Sequence, residues 1–206
     1  KLMDRIIVPS FHAKSVFESS VYEATNDQTG EVIKDYRCTT PITVVPYPAR
    51  PVEPADIELD LDYDFNFLTI AQWGPRKNLE NTIRWFLESF KDEEVGLVVK
   101  TSLAKNCTID RRVTAAKLRQ ITSEYPDRKC KVYLVHGYMS AEELSALYNN
   151  PKIKSYITAT HGEGYGLPIF EAAYYGLPIA APGWSGHVDF LFHEVKDKKG
   201  KKRVKP

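Results

Sequence analysis

"SYITATHGEGYGLPIFEAAYYGLPIAAP", Ser155 to Pro182, reads as a strand, a glycine-rich turn, a short helix and a second strand. The tetrapeptide Tyr-Gly-Leu-Pro occurs in it twice, at Tyr165–Pro168 and at Tyr175–Pro178, on either side of "IFEAAY". At the first copy Gly166 precedes the helix and Pro168 falls near its first position. There a missing N–H costs nothing and the fixed φ is already helical. At the second copy Gly176 suits the left-handed position past the last turn, and Pro178 cannot continue the helix. The flanking runs "SYITAT" and "LPIAAP" are apolar on both faces. Two buried strands joined by a helix predict a right-handed βαβ unit and parallel pairing.

The same alternation extends outward. Short apolar runs recur at "RIIVPS" from Arg5, "ITVVPYP" from Ile42, "FLTIAQW" from Phe67, "GLVVKT" from Gly96 and "KVYLVHG" from Lys131. Helical patterns lie between most of them, at "NLENTIRWFLESF" from Asn78, "DRRVTAAKLRQITSEY" from Asp110 and "SAEELSALYNN" from Ser140. This rhythm predicts an α/β fold, a Rossmann-like doubly wound parallel sheet whose ligands sit beyond the carboxyl ends of the strands. The segment Pro46–Asn66, rich in proline and then in acidic residues, interrupts the rhythm and reads as a surface connection.

Composition restricts partners. The 206 residues carry 28 basic and 27 acidic side chains, a net charge of +1 that offers no global field for nucleic acid. Three cysteines, Cys38, Cys107 and Cys130, have no metal-ligand spacing and fit free thiols in a reducing, cytoplasmic setting. No apolar run approaches the length of a membrane span. The lysine-rich tail "KDKKGKKRVKP" reads as a solvated loop with weak attraction for anionic lipid, a peripheral membrane contact of a longer protein.

Chemistry is concentrated in "HGEGYG", His161 to Gly166, whose three glycines let a ligand approach the backbone closely. The turn opens on a helix N-terminus, whose free N–H groups and positive dipole end favour an anion such as a diphosphate. Glu163 in the turn and Glu171 in the first helical turn would repel phosphate. Their use is to accept hydrogen bonds from sugar hydroxyls on either side of it, which suits a nucleotide-sugar. The plainer alternative is that Glu171 complements the helix dipole and the glycines only tighten the turn.

Glu163-x7-Glu171 inside "HGEGYGLPIFEAAYYGLPIAAPGWSGHVDFL" resembles the E-x7-E signature of retaining GT-B glycosyltransferases of family GT4. "AQWGPRKNLENTIRWF" is similar to that family's basic loop, "KVYLVHGYMSAEELSALYNN" to its nucleotide-proximal strand and helix, and "DRIIVPSFHAKSVFESSVYEATN" to the end of its acceptor domain. The likeness runs from about Met3 to Leu191 and implies two parts. Residues 1–40 would be the last strand and helix of an acceptor domain, and 41–206 a donor domain, truncated at its C-terminus.

The resemblance also implies roles. Glu163 would contact the donor hexose, and Glu171 the ribose. Gly164, Tyr165, Gly166 and Leu167 would offer N–H groups to the diphosphate and sugar. Lys77 would neutralise the leaving diphosphate without a metal or other cofactor. Gln72 stands where the family has arginine, so Arg76 is the substitute, and His161 replaces another frequent arginine. Arg76 and Lys77 have solvated loop charge as their plainer reading. Lys100 lies at the cleft or its rim; Gly137, Tyr138 and Met139 fall where the family holds the nucleobase, with core packing as the plainer alternative, and His136 reads as a satisfied structural histidine, with service near the base as its alternative.

Rival patterns fail on context. Asp60–Asp64 contains D-x-D, the pattern of metal-dependent GT-A enzymes. As a calcium loop it lacks the required glycine and glutamate, having Phe65 and Ala71 instead. "HGEGYG" is not the G-x-G-x-x-G of a dinucleotide fold, and no nucleophile elbow is present. The expected activity is hexosyl transfer from a nucleotide-sugar to a saccharide, lipid or protein acceptor with retention of configuration. The alternatives are a nucleotide-sugar binding module without transferase activity and a sugar-nucleotide epimerase of the same architecture.

Overall fold

The computed structural model of the chain describes residues 3–196 and 202–205. The chain groups into two compact units. One comprises residues 1–48, 163–166 and 184–206, and the other 49–162 and 167–183.

In the first unit, strand β1 (Ile6–Val8) pairs in parallel with β4 (Ile42–Val44), Ile6 facing Ile42 and Val8 facing Val44. Between them run helix α1 (Phe11–Ser19) and an antiparallel hairpin, β2 (Val21–Thr25) with β3 (Val32–Arg37). Helix α1 starts at Ser10, whose extended backbone and Oγ, accepting from the Ala13 N–H at 3.0 Å, make an N-cap. The hairpin corrects the expectation of one strand and one helix for residues 1–40. Its signal was present: alternation on both sides of "NDQTG". There Asn26 Oδ1 accepts from the N–H groups of Gln28 and Thr29, and Gly30 takes φ +72°.

The second unit is the doubly wound domain. Strands β5 (Asn66–Ile70), β6 (Gly96–Thr101), β7 (Lys131–His136), β8 (Ile153–Ile157) and β9 (Ile179–Ala180) form one parallel sheet in the order β7-β6-β5-β8-β9. Helices α2 (Leu79–Phe90), α3 (Thr108–Ser123), α4 (Ala141–Tyr148) and α5 (Leu167–Tyr174) connect consecutive strands. Leu79, Ile83, Phe86 and Leu87 recur at helical spacing on α2. They pack with Leu97 and Val99 of β6, Leu118 and Ile121 of α3, and Cys130 into a buried core. Each such burial contributes about 1.5–3 kcal/mol. Helix α4 begins with a complete capping box, Ser140 and Glu143 each bonding the other's backbone N–H.

The connection before β5 forms no helix or strand, yet it is fastened. Ser145 Oγ donates to the Val52 carbonyl at 2.7 Å, and Lys152 Nζ to that of Leu61 at 2.8 Å. Asp62 pairs with Lys131 at 2.6 Å and accepts from the Tyr133 hydroxyl at 2.9 Å, and the Lys131 bond leads in holding its carboxyl below the usual range.

After β9 the chain returns to the first unit with α6 (Val188–Leu191) and the antiparallel strands β10 (His193–Lys196) and β11 (Lys202–Lys205). The strands correct the reading of the tail as a loop; its expected lipid contact falls largely on residues 197–201 and 206, outside the described ones. The three cysteines are free thiols, with Cys130 buried and Cys107 exposed. Among the described residues no helix is long and apolar enough to cross a membrane.

Candidate functional site

From β5 the chain builds the sheet outward through β6 to β7, then crosses to the other side of β5 for β8 and β9. Sequence order therefore reverses between β5 and β8, the switch point where doubly wound sheets open a crevice at their carboxyl ends. The loops leaving these two strands carry the basic pair and the glycine turn. A single 3-10 turn, Pro75–Lys77, contains Arg76 and Lys77. Arg76 Nη1 donates to the Gly162 carbonyl at 2.7 Å, and the His161 N–H donates back to the Arg76 carbonyl at 2.9 Å. Asn78, at φ +50°, sends its side-chain amide to the Ala159 carbonyl at 3.0 Å. Arg76 thus braces the glycine turn. Gln72 donates to the Leu103 carbonyl at 2.8 Å and so holds a neighbouring loop. Lys100, one residue before the end of β6, lies opposite Ile70, and partial burial lowers the pKa of its ammonium.

Helix α5 is bracketed as its sequence demands. Gly166 stands before it at φ +94°, and Pro168 lies in its first turn. At its end Gly176 takes φ +77°, the Leu177 N–H reaches the Ala172 carbonyl, and the Gly176 N–H reaches that of Ala173, both at 3.0 Å. These two bonds make a Schellman stop. The helix starts at Leu167, so Glu171 sits in its second turn, not the first, and the dipole alternative for it weakens because that effect fades beyond the first turn. Glu171 is partly buried, and burial raises its pKa. The Tyr148 hydroxyl at the end of α4 lies 2.9 Å from Glu171 Oε2 and opposes that rise.

Glu163, Gly164, Tyr165 and Gly166 belong to the first unit. The Ser185 hydroxyl accepts from the Glu163 N–H and donates to the Glu163 carbonyl, both at 2.6 Å, and the Gly186 N–H donates to the same carbonyl at 2.9 Å. Ser185 adopts φ +88°, and a Cβ on Gly186 would strike the backbone of Glu163 and Gly164. The Ser10 hydroxyl donates to the Gly164 carbonyl at 2.5 Å while its oxygen caps α1. Tyr165 is buried, its ring against Tyr47 and Phe190. Ser10 and Ser185 fix this turn, and neither was expected from sequence. Only the "SG" after the motif hinted at the second.

At the carboxyl ends of β6 and β7 lies a polar recess of about 410 Å³ lined by Asn106, Cys107, Thr108, Arg111 and His136. Gly137 beside it takes φ +99°, and a Cβ there would meet the Asn106 side chain. Tyr138 is 76% exposed and packs in no core. The His136 side chain is buried, with Nε2 2.7 Å from Asp110 Oδ1, which fits the structural one of its two expected roles. Asp110 also accepts from the N–H groups of Leu103, Ala104 and Lys105 and from the Thr114 hydroxyl. These bonds, that of His136 foremost, hold its carboxyl well below the usual range.

No protein-family model and no curated protein matches the sequence. Among solved structures the chain is similar to the E. coli trehalose-6-phosphate protein bound with UDP-2-fluoro glucose, with a TM-score of 0.56 and 11% identity over 91% of this chain and 48% of that one. It is also similar to a trehalose-6-phosphate synthase studied for glycosyl transfer with retention, with a TM-score of 0.55 and 12% identity over 91% and 48%. S. aureus TarM, as a point mutant in complex with Fondaparinux, alpha-GlcNAc-glycerol and UDP, gives a TM-score of 0.54 and 13% identity over 92% and 32%. The chain spans about half the length of the first two proteins and a third of the last. At these identities the likeness is one of fold: the chain has the Rossmann-like α/β fold of GT-B glycosyltransferases.

Proposed function

We propose that this chain is mainly the donor-binding half of a glycosyltransferase that moves a hexose from a nucleotide-sugar to an acceptor with retention of configuration. The observation that carries the reading is the reversal of strand order between β5 and β8. A basic turn leaves one strand there, and a glycine turn running into α5 leaves the other. The positive dipole end at the start of α5 suits a diphosphate. By resemblance, Gly164, Tyr165, Gly166 and Leu167 offer their N–H groups to it, Lys77 and Arg76 balance its charge as the bond to sugar breaks, and Lys100 adds a cation at the sheet end. Glu163 accepts from hexose hydroxyls and Glu171 from the ribose diol. The recess beside Gly137 and Tyr138 takes the base. Residues 1–40 come from the acceptor side. The charge stabilisation is supplied by side chains, without a metal.

Calorimetric titration of the chain with UDP, GDP and ADP tests this reading. One of the three binds, and Glu171→Ala weakens it by about 1.5–3 kcal/mol, the range for hydrogen bonds to a charged group, or at least tenfold in Kd. A folded Glu171→Ala variant of undiminished affinity removes Glu171 from the site, and silence of the unsubstituted chain toward all three removes the reading.

A further inference from the structure

We infer that Tyr148 is a positioning residue for Glu171, holding its Oε2 so that the other carboxylate oxygen faces the ribose diol. This rests on the donor-site reading of Glu171. Tyr148 closes α4 and is 2% exposed. Its ring stacks on Tyr175 at 5.5 Å between centroids and 15° between planes, so the ring is fixed before the hydroxyl chooses a partner. Two acceptors lie within reach of the one hydroxyl proton, Glu171 Oε2 at 2.9 Å and the Pro168 carbonyl at 3.2 Å. The carboxylate is the nearer and, being charged, the stronger acceptor. The Pro168 carbonyl also has a donor of its own, since it lies in the helix four residues before Ala172.

What the bond does follows from the side chain it restrains. A glutamate has three rotatable bonds and two equivalent oxygens, and a carboxylate fixed at one oxygen presents the other in a single direction. Fixing it in advance spares the ligand the cost of ordering it. Phenylalanine at 148 would fill the same space and stack equally well, so packing alone does not require the hydroxyl. A buried hydroxyl requires an acceptor, and here the acceptor is the acid assigned to the ligand.

The test compares the chain with its Tyr148→Phe variant, titrated with UDP, GDP and ADP and with their 2′,3′-dideoxy forms. Tyr148→Phe weakens the ribonucleotide that binds about three- to tenfold, leaves its dideoxy form unchanged, and has no effect in a Glu171→Ala background. Equal weakening of both forms, or of neither, overturns the role while leaving the donor reading intact. Failure of the unsubstituted chain to bind any of the three removes both. A second measurement needs no change at 148: the NMR resonance of the Tyr148 ring carbon that bears the hydroxyl shifts in Glu171→Ala, and an unshifted resonance overturns the bond.

Discussion

Asp110 accepts five hydrogen bonds, from three consecutive backbone N–H groups, a threonine hydroxyl and a histidine ring. All of them favour its charged form. A carboxyl held lower in the folded state than in the unfolded chain contributes stability that is complete above the unfolded pKa, about 3.9, and is lost as pH falls from there toward the folded value. Asp110→Ala therefore melts lower than the parent at neutral pH, and the gap between the two narrows below about pH 4. A gap that persists unchanged into acid refutes the ionic origin of the effect. In sequence, Asp110 was one letter of a helix pattern. Its partners lie on the preceding loop, one turn further along α3 and on β7, and nothing local announces a bond to a residue on a strand. Glu171 was legible through its spacing from Glu163, but Tyr148, which touches it, was read only as the end of a helix.

Elements bounded by glycine and proline were the most legible, because those residues constrain the backbone wherever they stand. Both copies of Tyr-Gly-Leu-Pro act as read, one opening α5 and the other closing it. The five strands of the sheet follow their apolar runs, with β8 starting at Ile153, two positions ahead of the expected run. The hairpin β2–β3 was lost to a resemblance that named one strand and one helix, although its alternation was in plain view. What holds the glycine turn could not be read, since Ser10, Ser185 and Gly186 lie far from it along the chain. Gly186→Ala tests that packing. Its new Cβ meets the backbone carbonyls of Glu163 and Gly164, whereas a Cβ at Gly183 meets open space. Gly186→Ala lowers Tm by several degrees and Gly183→Ala leaves it within about one degree, on the scale of 2–4 °C per kcal/mol for a chain of this size. Equal melting of the two variants would show that the turn yields freely.

Among the described residues the chain has the loops assigned to donor binding and, from the proposed acceptor side, β1, α1 and a hairpin. Acceptor positioning is worth about 7–11 kcal/mol in reactions of this kind. The chain accordingly binds a nucleoside diphosphate but does not transfer sugar from UDP-, GDP- or ADP-hexoses; product formation at ordinary enzyme rates, about 1–1000 per second, would refute this. The sheet that carries the site is assembled from pairings of unequal reach. Leu68 of β5 lies beside Val98 of β6 and Tyr156 of β8, and the first neighbour leaves the ribosome long before the second. During synthesis β5, β6 and β7 can pair while β8 is still unmade, and the switch-point seam closes only after them, followed by β9 on β8. A nascent chain halted before Ile153 would own half a sheet and no crevice, so the ability to bind arrives late in translation.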